Sequence, residues 1–137
     1  MKKTLNILLI EDDEIEVMKL NRTLSNLDYK HNIHEARDGK EALDKLNHKY
    51  KLPDVIFLDL NMPAMNGIEF LRILKNDETL QFIPAIILTT SNNRRDVLEC
   101  YKLGIAGYII KPLKFDDYVL KLKAVLEYWS MNELIKA

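Results

Sequence analysis

Short apolar runs alternate with longer segments of helical periodicity along the chain, and this alternation is the strongest constraint on its fold. Continuous runs rich in Ile, Leu and Val are typical of strands buried on both faces, as parallel strands are. Four runs of this kind occupy residues 5–10, 55–58, 85–88 and 107–110. A fifth run, 31–36, alternates polar and apolar residues, which indicates a strand nearer the edge of a sheet.

The segments between these runs have apolar residues spaced three and four positions apart, as amphipathic helices do. They predict helices over residues 14–27, 41–50, 68–74, 94–103 and about 115–135. Asp38 and Asn93 are placed to cap the second and fourth of these helices at their N-termini. Gly104 is placed to end the fourth, since glycine tolerates the left-handed conformation that often follows a helix.

Strict alternation of strands and helices predicts an α/β domain in which helices cover both faces of a parallel sheet. Right-handed crossovers leave few topologies for five such strands, and the flavodoxin-like, doubly wound order 2-1-3-4-5 is the natural one. No linker rich in Ser, Gly or Pro divides the sequence. We therefore expect a single (βα)5 domain over residues 1–137, with an extended C-terminal helix at about 115–135.

The composition argues against several classes of function. Lys and Arg total 20 against 21 Asp and Glu, so the sequence lacks the basic excess of a nucleic-acid or anionic-membrane surface. No apolar stretch approaches the roughly 18 residues of a membrane span. Cys100 has no internal disulfide partner and is interpreted as a buried hydrophobe. His31, His34 and His48 lack metal-ligand spacing and are interpreted as surface or hydrogen-bonded residues. We expect a cytoplasmic protein that binds neither nucleic acid nor membrane.

The predicted sheet brings polar side chains to one edge, because ligands in such folds bind at the carboxyl ends of the strands. The residues that follow strands one, three, four and five are Glu11-Asp12-Asp13, Asp59, Thr89-Thr90-Ser91 and Lys111-Pro112. Clustered carboxylates repel one another, and ligation by oxygen alone favours Mg²⁺ or Mn²⁺ over zinc. A lysine and a threonine hydroxyl beside such a metal suit a phosphoryl group, which an aspartate held there could attack as a nucleophile. Asp13 is interpreted as the start of the first helix.

With this constellation, the chain resembles the receiver domains of two-component response regulators over essentially its whole length. The landmarks that match, in order and at family spacing, are Glu11-Asp12, Asp59, Met62-Pro63, Gly67, Thr89, Tyr108 and Lys111-Pro112. The resemblance implies that Asp59 accepts a phosphoryl group from a histidine kinase or a phosphotransfer protein in a Mg²⁺-dependent reaction. It also implies a signalling domain rather than an enzyme, one that catalyses only its own phosphorylation and dephosphorylation.

The resemblance further implies how the neighbours of Asp59 act. Asp12 would bind the metal directly, Glu11 would bind it through water, and Asn61 would offer its backbone carbonyl. Lys111 would pair with Asp59 at rest and with the phosphoryl oxygens after transfer, and the Lys111–Pro112 bond would be cis. In the loop after strand three, Gly67 would supply conformational freedom.

A second group of residues would bind the phosphoryl group or switch in response to it, if the resemblance holds. Thr89 would swing toward the phosphoryl group and Tyr108 would move inward behind it, with Thr90 in a position where receivers usually have a smaller residue. Asn61 and Ser91 occupy the positions that tune dephosphorylation in this family. The coupled shift would alter the face formed by helix four, strand five and helix five, which a downstream protein or a second copy of the chain would read.

Two other classes of function fit the sequence less well. Phosphatases of the haloacid dehalogenase type also place Asp, Thr and Lys at strand ends, but they usually have an aspartate where this chain has Asn61, and a cap domain as well. A flavodoxin-like flavin binder would need a phosphate-binding loop in place of Glu11-Asp12-Asp13. Within the receiver interpretation, an endpoint regulator and a phosphorelay intermediate both stay open. Residues 88–91 and 106–108 are similar to stretches in regulators paired with phytochrome-like kinases.

Overall fold

The computed structural model describes residues 3–47, 51–63 and 65–135 of the chain. Within these ranges, parallel strands form a sheet in the order β2-β1-β3-β4-β5, which confirms the predicted doubly wound α/β topology. The strands are β1 (Asn6–Ile10), β2 (Asn32–Ala36), β3 (Val55–Leu58), β4 (Ala85–Thr89) and β5 (Gly107–Ile110). The helices are α1 (Glu14–Ser25), α2 (Gly39–Asn47), α3 (Gly67–Asn76), α4 (Arg94–Lys102) and α5 (Phe115–Ser130). In the part of the chain that is described, no helix has the length and apolar character needed to cross a bilayer.

The sheet is buried between two helical layers, because neighbouring residues of a strand point to opposite faces. In β3, Val55 and Phe57 pack in the cluster that includes α1 and α5, whereas Ile56 and Leu58 pack in the cluster that includes α2, α3 and α4. All four side chains are at most 1% exposed. Full burial of a large apolar side chain is worth about 1.5–3 kcal/mol, so the central strands anchor the fold. Cys100 of α4 belongs to this core as expected, and burial raises the pKa of its thiol to about 11.

β5 differs from the prediction of a strand buried on both faces. It lies at the edge of the sheet beside β4, and its first three residues, Gly107, Tyr108 and Ile109, are only half-buried. Ile110 is 39% exposed. A continuous apolar run therefore marks both a central strand and an edge strand here, although the predicted strand order already placed strand five at an edge.

α5 is shorter than the sequence predicted. It ends at Ser130, and Met131 caps it through a backbone N–H that donates to the carbonyl of Tyr128 at 3.2 Å. The carbonyl of Ser130 accepts from the N–H of Lys3 at 2.9 Å, and Leu134 turns back to pack on the core beside α1 and α5. This apolar contact and the bond to the N-terminal segment compete with a continued helix. The part of the second predicted helix at 48–50 lies outside the described residues.

Side-chain caps fix the helix ends that the sequence marked. The carboxylate of Asp38 accepts from the N–H of Glu41 at 2.9 Å, and the side chain of Asn93 accepts from the N–H of Arg95 at 2.8 Å. Gly104 has φ of 91° just after α4, the left-handed conformation in which a residue with a Cβ is strained. These ends set the loops that carry the polar residues at the carboxyl edge of the sheet.

His31 is a structural residue, as expected. Its Nδ1 accepts a hydrogen bond from the backbone N–H of Leu5 at 2.9 Å, which requires a neutral ring. Burial lowers the pKa of His31 below its ordinary value. A lowered pKa in the folded state means that the imidazole contributes stability above its unfolded pKa, and that this contribution is lost as pH falls through the folded pKa.

We therefore expect the free energy of unfolding to fall as the pH is lowered below about 6.5, by roughly 1 kcal/mol, the usual worth of one such hydrogen bond. Urea denaturation followed by circular dichroism across this range measures the change. In His31→Asn, the side-chain oxygen can accept the same N–H without titrating, so this part of the pH dependence should be absent. An identical pH dependence in wild type and His31→Asn would contradict the assignment.

Candidate functional site

The carboxyl edge of the sheet gathers three carboxylates from two neighbouring strands. Glu11 and Asp12 follow β1, and Asp59 follows β3. The backbone N–H of Glu11 donates to the carbonyl of Ala36 at 3.0 Å, and that of Asp59 donates to the carbonyl of Ile10 at 3.1 Å. Both residues therefore continue the backbone hydrogen bonding of the sheet. One carboxylate oxygen from each of the three acids lies within 4.8 Å of the other two. Glu11 and Asp59 are buried, while Asp12 is exposed.

This donor set fits a hard divalent cation. Three carboxylates placed so closely repel one another, and each has an oxygen close enough to the others to share one cation. Mg²⁺ binds through one or two carboxylates and keeps several waters, so an exposed residue such as Asp12 and a buried one such as Asp59 can share it. Asp13 is not part of the cluster: its carboxylate caps α1 by accepting from the N–H of Ile15 at 2.9 Å, as expected.

Lys111 brings a cation to these acids, but its main partner is not the one that the family resemblance implied. Its Nζ donates to Oε1 of Glu11 at 2.6 Å, whereas the nearest oxygen of Asp59 is 3.9 Å away. The expected pair with Asp59 is thus only a long contact, because the buried carboxylate of Glu11 lies closer to the end of the lysine. The peptide bond between Lys111 and Pro112 is trans, so the expectation of a cis bond was wrong.

Burial and charge act in opposite directions on this pair. Burial raises the pKa of Glu11 and dominates, taking it to about 7, although the hydrogen bond from Lys111 lowers it and the charge of Asp59 raises it further. For Lys111, burial lowers the pKa, but the bond to Glu11 and the nearby acids outweigh it and raise the pKa above the ordinary value. The lysine therefore stays charged at neutral pH.

Glu16 of α1 also contacts Lys111, although no motif in the sequence marks it as a site residue. Its Oε1 lies 3.5 Å from Nζ of the lysine. The pattern Asp13-Glu14-Ile15-Glu16 is a signal that could have drawn attention to it, since an acid three residues after an N-cap usually folds back to the N-cap N–H. That N–H donates instead to Glu11 at 3.3 Å, which leaves Glu16 to face the lysine.

The end of β4 and the loop after it carry the remaining polar residues. Thr89 is fully buried, and its hydroxyl oxygen accepts from the N–H of Ser91 at 3.3 Å, while Thr90 is exposed. The hydroxyl of Ser91 donates to the carboxylate of Asp96 in α4 at 2.9 Å. The hydroxyl of Tyr108 in β5 donates to the carbonyl of Ser91 at 2.8 Å. β4, β5 and α4 are therefore joined through one loop residue.

Asn61 lies beside the buried aspartate. Its backbone N–H donates to Oδ1 of Asp59 at 3.3 Å, and its side chain is exposed. This bond orients one oxygen of Asp59, and it fixes the loop after β3 close to the acid cluster.

Gly67 is needed for a close approach rather than for loop freedom, which corrects the expectation. It is the first residue of α3, and its N–H donates to the carbonyl of Leu60 at 3.1 Å. A Cβ at this position would lie 2.5 Å from the carbonyl oxygen of Asp59 and 2.8 Å from Cα of Leu60. Only a residue without a side chain lets the loop after β3 fold against the start of α3.

Gly67→Ala should therefore lower the free energy of unfolding by about 1–3 kcal/mol, because backbone atoms must move to admit the methyl group. Urea denaturation measures the loss. Gly107→Ala is the matched control, since the nearest atom to a Cβ there is 3.9 Å away. Equal losses in the two variants would show that the contact with Asp59 and Leu60 does not limit the size of residue 67.

Comparison with known proteins gives consistent results. The response regulator receiver domain family matches residues 7–123. The archaeal protein named "Probable methanogenesis regulatory protein FilR2", from Methanothrix harundinacea, is 38% identical over 127 residues, which are 90% of this chain and 82% of that protein.

Two solved structures are similar over almost their whole length. The phosphorylated cyanobacterial phytochrome response regulator RcpA has a TM-score of 0.88 and 33% identity, with 96% of this chain and 99% of that chain covered. The Mn²⁺-bound form of response regulator Rcp1 has a TM-score of 0.87 and 29% identity, with 97% and 99% covered.

Proposed function

The chain belongs to the response regulator receiver domain family, a family of phosphoacceptor signalling domains, and on this premise we propose that Asp59 is its phosphoacceptor. The observation that carries the proposal is the convergence of Glu11, Asp12, Asp59 and Lys111 at one edge of the sheet. A divalent cation held by the acids and the charged lysine would together supply the positive charge that a phosphoryl group on Asp59 requires.

The chemistry is an in-line transfer. An oxygen of Asp59 attacks phosphorus, the bond from phosphorus to the donor's imidazole nitrogen breaks, and an acyl phosphate forms. The imidazole leaves with the electron pair of the broken bond and regains a proton. Lys111 has to move its Nζ from Glu11 toward Asp59, a contact that measures 3.9 Å at rest, to neutralise the phosphoryl oxygens. Asn61 holds one oxygen of Asp59, which leaves the other to attack.

A divalent cation, Mg²⁺ or Mn²⁺, would be held by the carboxylates of Asp12 and Asp59, by the backbone carbonyl of Asn61 and, through water, by Glu11. When bound, it would neutralise negative charge on the transferred group. The likeness to the Mn²⁺-bound Rcp1 supports a site of this kind. Because Asp12 is exposed, a cation bound to it could exchange its water ligands with the solvent.

We propose that the signal leaves through β4, α4 and β5. Thr89, together with the backbone of the exposed Thr90, would bind the phosphoryl group, and Tyr108 would follow any shift of the loop through its bond to Ser91. The side chains of Asn61 and Ser91 would tune dephosphorylation.

The face formed by α4, β5 and α5 would be read by a downstream protein or by a second copy of the chain. It presents exposed apolar side chains for such a contact: Leu98, Tyr101, Ile110 and Leu120. The donor would be a histidine kinase or a phosphotransfer protein. The formal net charge of -1 favours protein partners over nucleic acid.

The test is modification by a small phosphodonor. After incubation with acetyl phosphate and Mg²⁺, intact mass spectrometry should show one added phosphoryl group, and EDTA should prevent it. Borohydride reduction converts an aspartyl phosphate to homoserine, which peptide mapping should place at residue 59. Modification at another residue, or equal modification in EDTA, would overturn the proposal.

A further inference from the structure

We propose that Glu16 is a positioning residue for phosphoryl transfer: it holds the ammonium group of Lys111 at the site while that group changes partners between Glu11 and Asp59. The inference rests on the proposed function and extends it, because it assigns a role to a residue outside the carboxylate cluster.

Lys111 is surrounded by three acids. Its side chain is 4% exposed, and its Nζ lies 2.6 Å from Glu11, 3.5 Å from Glu16 and 3.9 Å from Asp59. A buried ammonium group is costly unless opposite charge lies close to it. Two of the three acids belong to the cluster that would hold a cation, and Glu16 does not.

The separation of Glu16 from the carboxylate cluster matters during the reaction. Metal binding would draw the charge of Glu11 toward the cation, and phosphorylation would convert the carboxylate of Asp59 to an acyl phosphate. Both changes redistribute the negative charge that these two residues present to Lys111, at the step in which the lysine must be placed best. Glu16 belongs neither to the cluster nor to the reacting group, so neither change alters its carboxylate.

The side chain of Glu16 is itself held in place. Its Oε2 forms an ion pair with Nζ of Lys19 at 3.1 Å, although the angles are not those of a hydrogen bond. Lys19 lies over the ring of Tyr118, 5.0 Å from the centroid, and Tyr118 is buried in the core. The carboxylate is thus fixed from behind by a cation that packs on α5, so its other oxygen is presented to Lys111 in a defined place.

Helix capping does not account for the position of the Glu16 carboxylate. An acid three residues after an N-cap ordinarily accepts the N–H of that N-cap, but the N–H of Asp13 donates to Glu11. Both oxygens of Glu16 face lysines instead.

Glu16→Gln keeps the shape of the side chain and removes its charge. We expect the initial rate of phosphorylation by acetyl phosphate, at saturating Mg²⁺, to fall roughly threefold to tenfold, the effect of losing one of several electrostatic contacts to a reacting group. The Mg²⁺ dissociation constant should change by less than about twofold, because Glu16 is not a ligand. Glu14→Gln is the matched control, since Glu14 is an exposed acid in the same helical turn, and its rate should equal that of wild type.

A double-mutant cycle separates positioning from a general loss of structure. If Glu16 acts through Lys111, then adding Glu16→Gln to Lys111→Met should change the rate by less than about twofold, whereas a general defect would multiply the two losses. A wild-type rate in Glu16→Gln, or a full further loss in the double variant, would overturn the inference. Failure of the proposed function is distinguishable, because wild type itself would then remain unmodified at Asp59.

Discussion

Asp59→Asn should abolish phosphorylation by acetyl phosphate and Mg²⁺ completely, the largest effect expected from any single substitution in this chain. The amide has nearly the shape of the carboxylate but is too poor a nucleophile to form the acyl phosphate. Asp59 is 8% exposed and its Oδ1 accepts the N–H of Asn61, a bond that an amide oxygen can also accept. The fold should therefore persist, which the far-ultraviolet circular dichroism spectrum and urea denaturation would verify.

Asp13→Asn is the matched control for this loss. Asp13 lies at the same edge of the sheet, and asparagine caps a helix as well as aspartate does, so stability and modification should both be retained. Intact mass spectrometry compares the three proteins in one experiment. Full modification of Asp59→Asn would mean that another residue accepts the phosphoryl group.

Lys111→Met should slow the same reaction at least about a hundredfold, the usual cost of removing one preorganised charged donor from developing negative charge. The straight methionine side chain fills most of the buried volume of the lysine. The substitution also removes the ammonium group that lowers the pKa of Glu11, so this buried acid should take up a proton more readily at neutral pH. Initial rates at saturating Mg²⁺, from pH 6 to about 8.5, would measure both effects.

Lys114→Met is the control for Lys111→Met, because Lys114 is an exposed lysine three residues away at the start of α5. It should react at the wild-type rate. Lys111→Arg retains the charge, and its rate of phosphorylation should lie between those of wild type and Lys111→Met. A rate in Lys111→Met within about threefold of wild type would show that the ammonium group does not act on the reacting phosphoryl group.

Much of the fold could be predicted because it depends on local patterns. The alternation of β-type and α-type segments specified the parallel sheet and its order, and residue types at helix ends specified caps such as Asp13 and Asn93. The length of α5 could not be predicted in this way. Its end at Ser130 depends on a bond from Lys3, at the other end of the chain.

The acid cluster was predictable for a related reason. Residues that end neighbouring parallel strands must share one edge, so Glu11, Asp12 and Asp59 meet whatever the details of packing are. The reason that residue 67 must be glycine was not predictable. The sequence shows a glycine after a loop, but only the folded chain shows that the carbonyl of Asp59 occupies the space of a Cβ.

The sequence by itself therefore determined which strand-end side chains reach the site, because strand ends are set by local hydrophobic pattern and by the direction of the strands. The tertiary structure alone decided which of them touch. Lys111 and Glu11 are 100 residues apart and form the shortest contact of the site. Glu16 approaches the lysine because folding brings the first turn of α1 next to the residue that follows β5. Separations of 2.6, 3.5 and 3.9 Å distinguish Glu11, Glu16 and Asp59 as partners of this buried charge, and no pattern in the sequence encodes such differences.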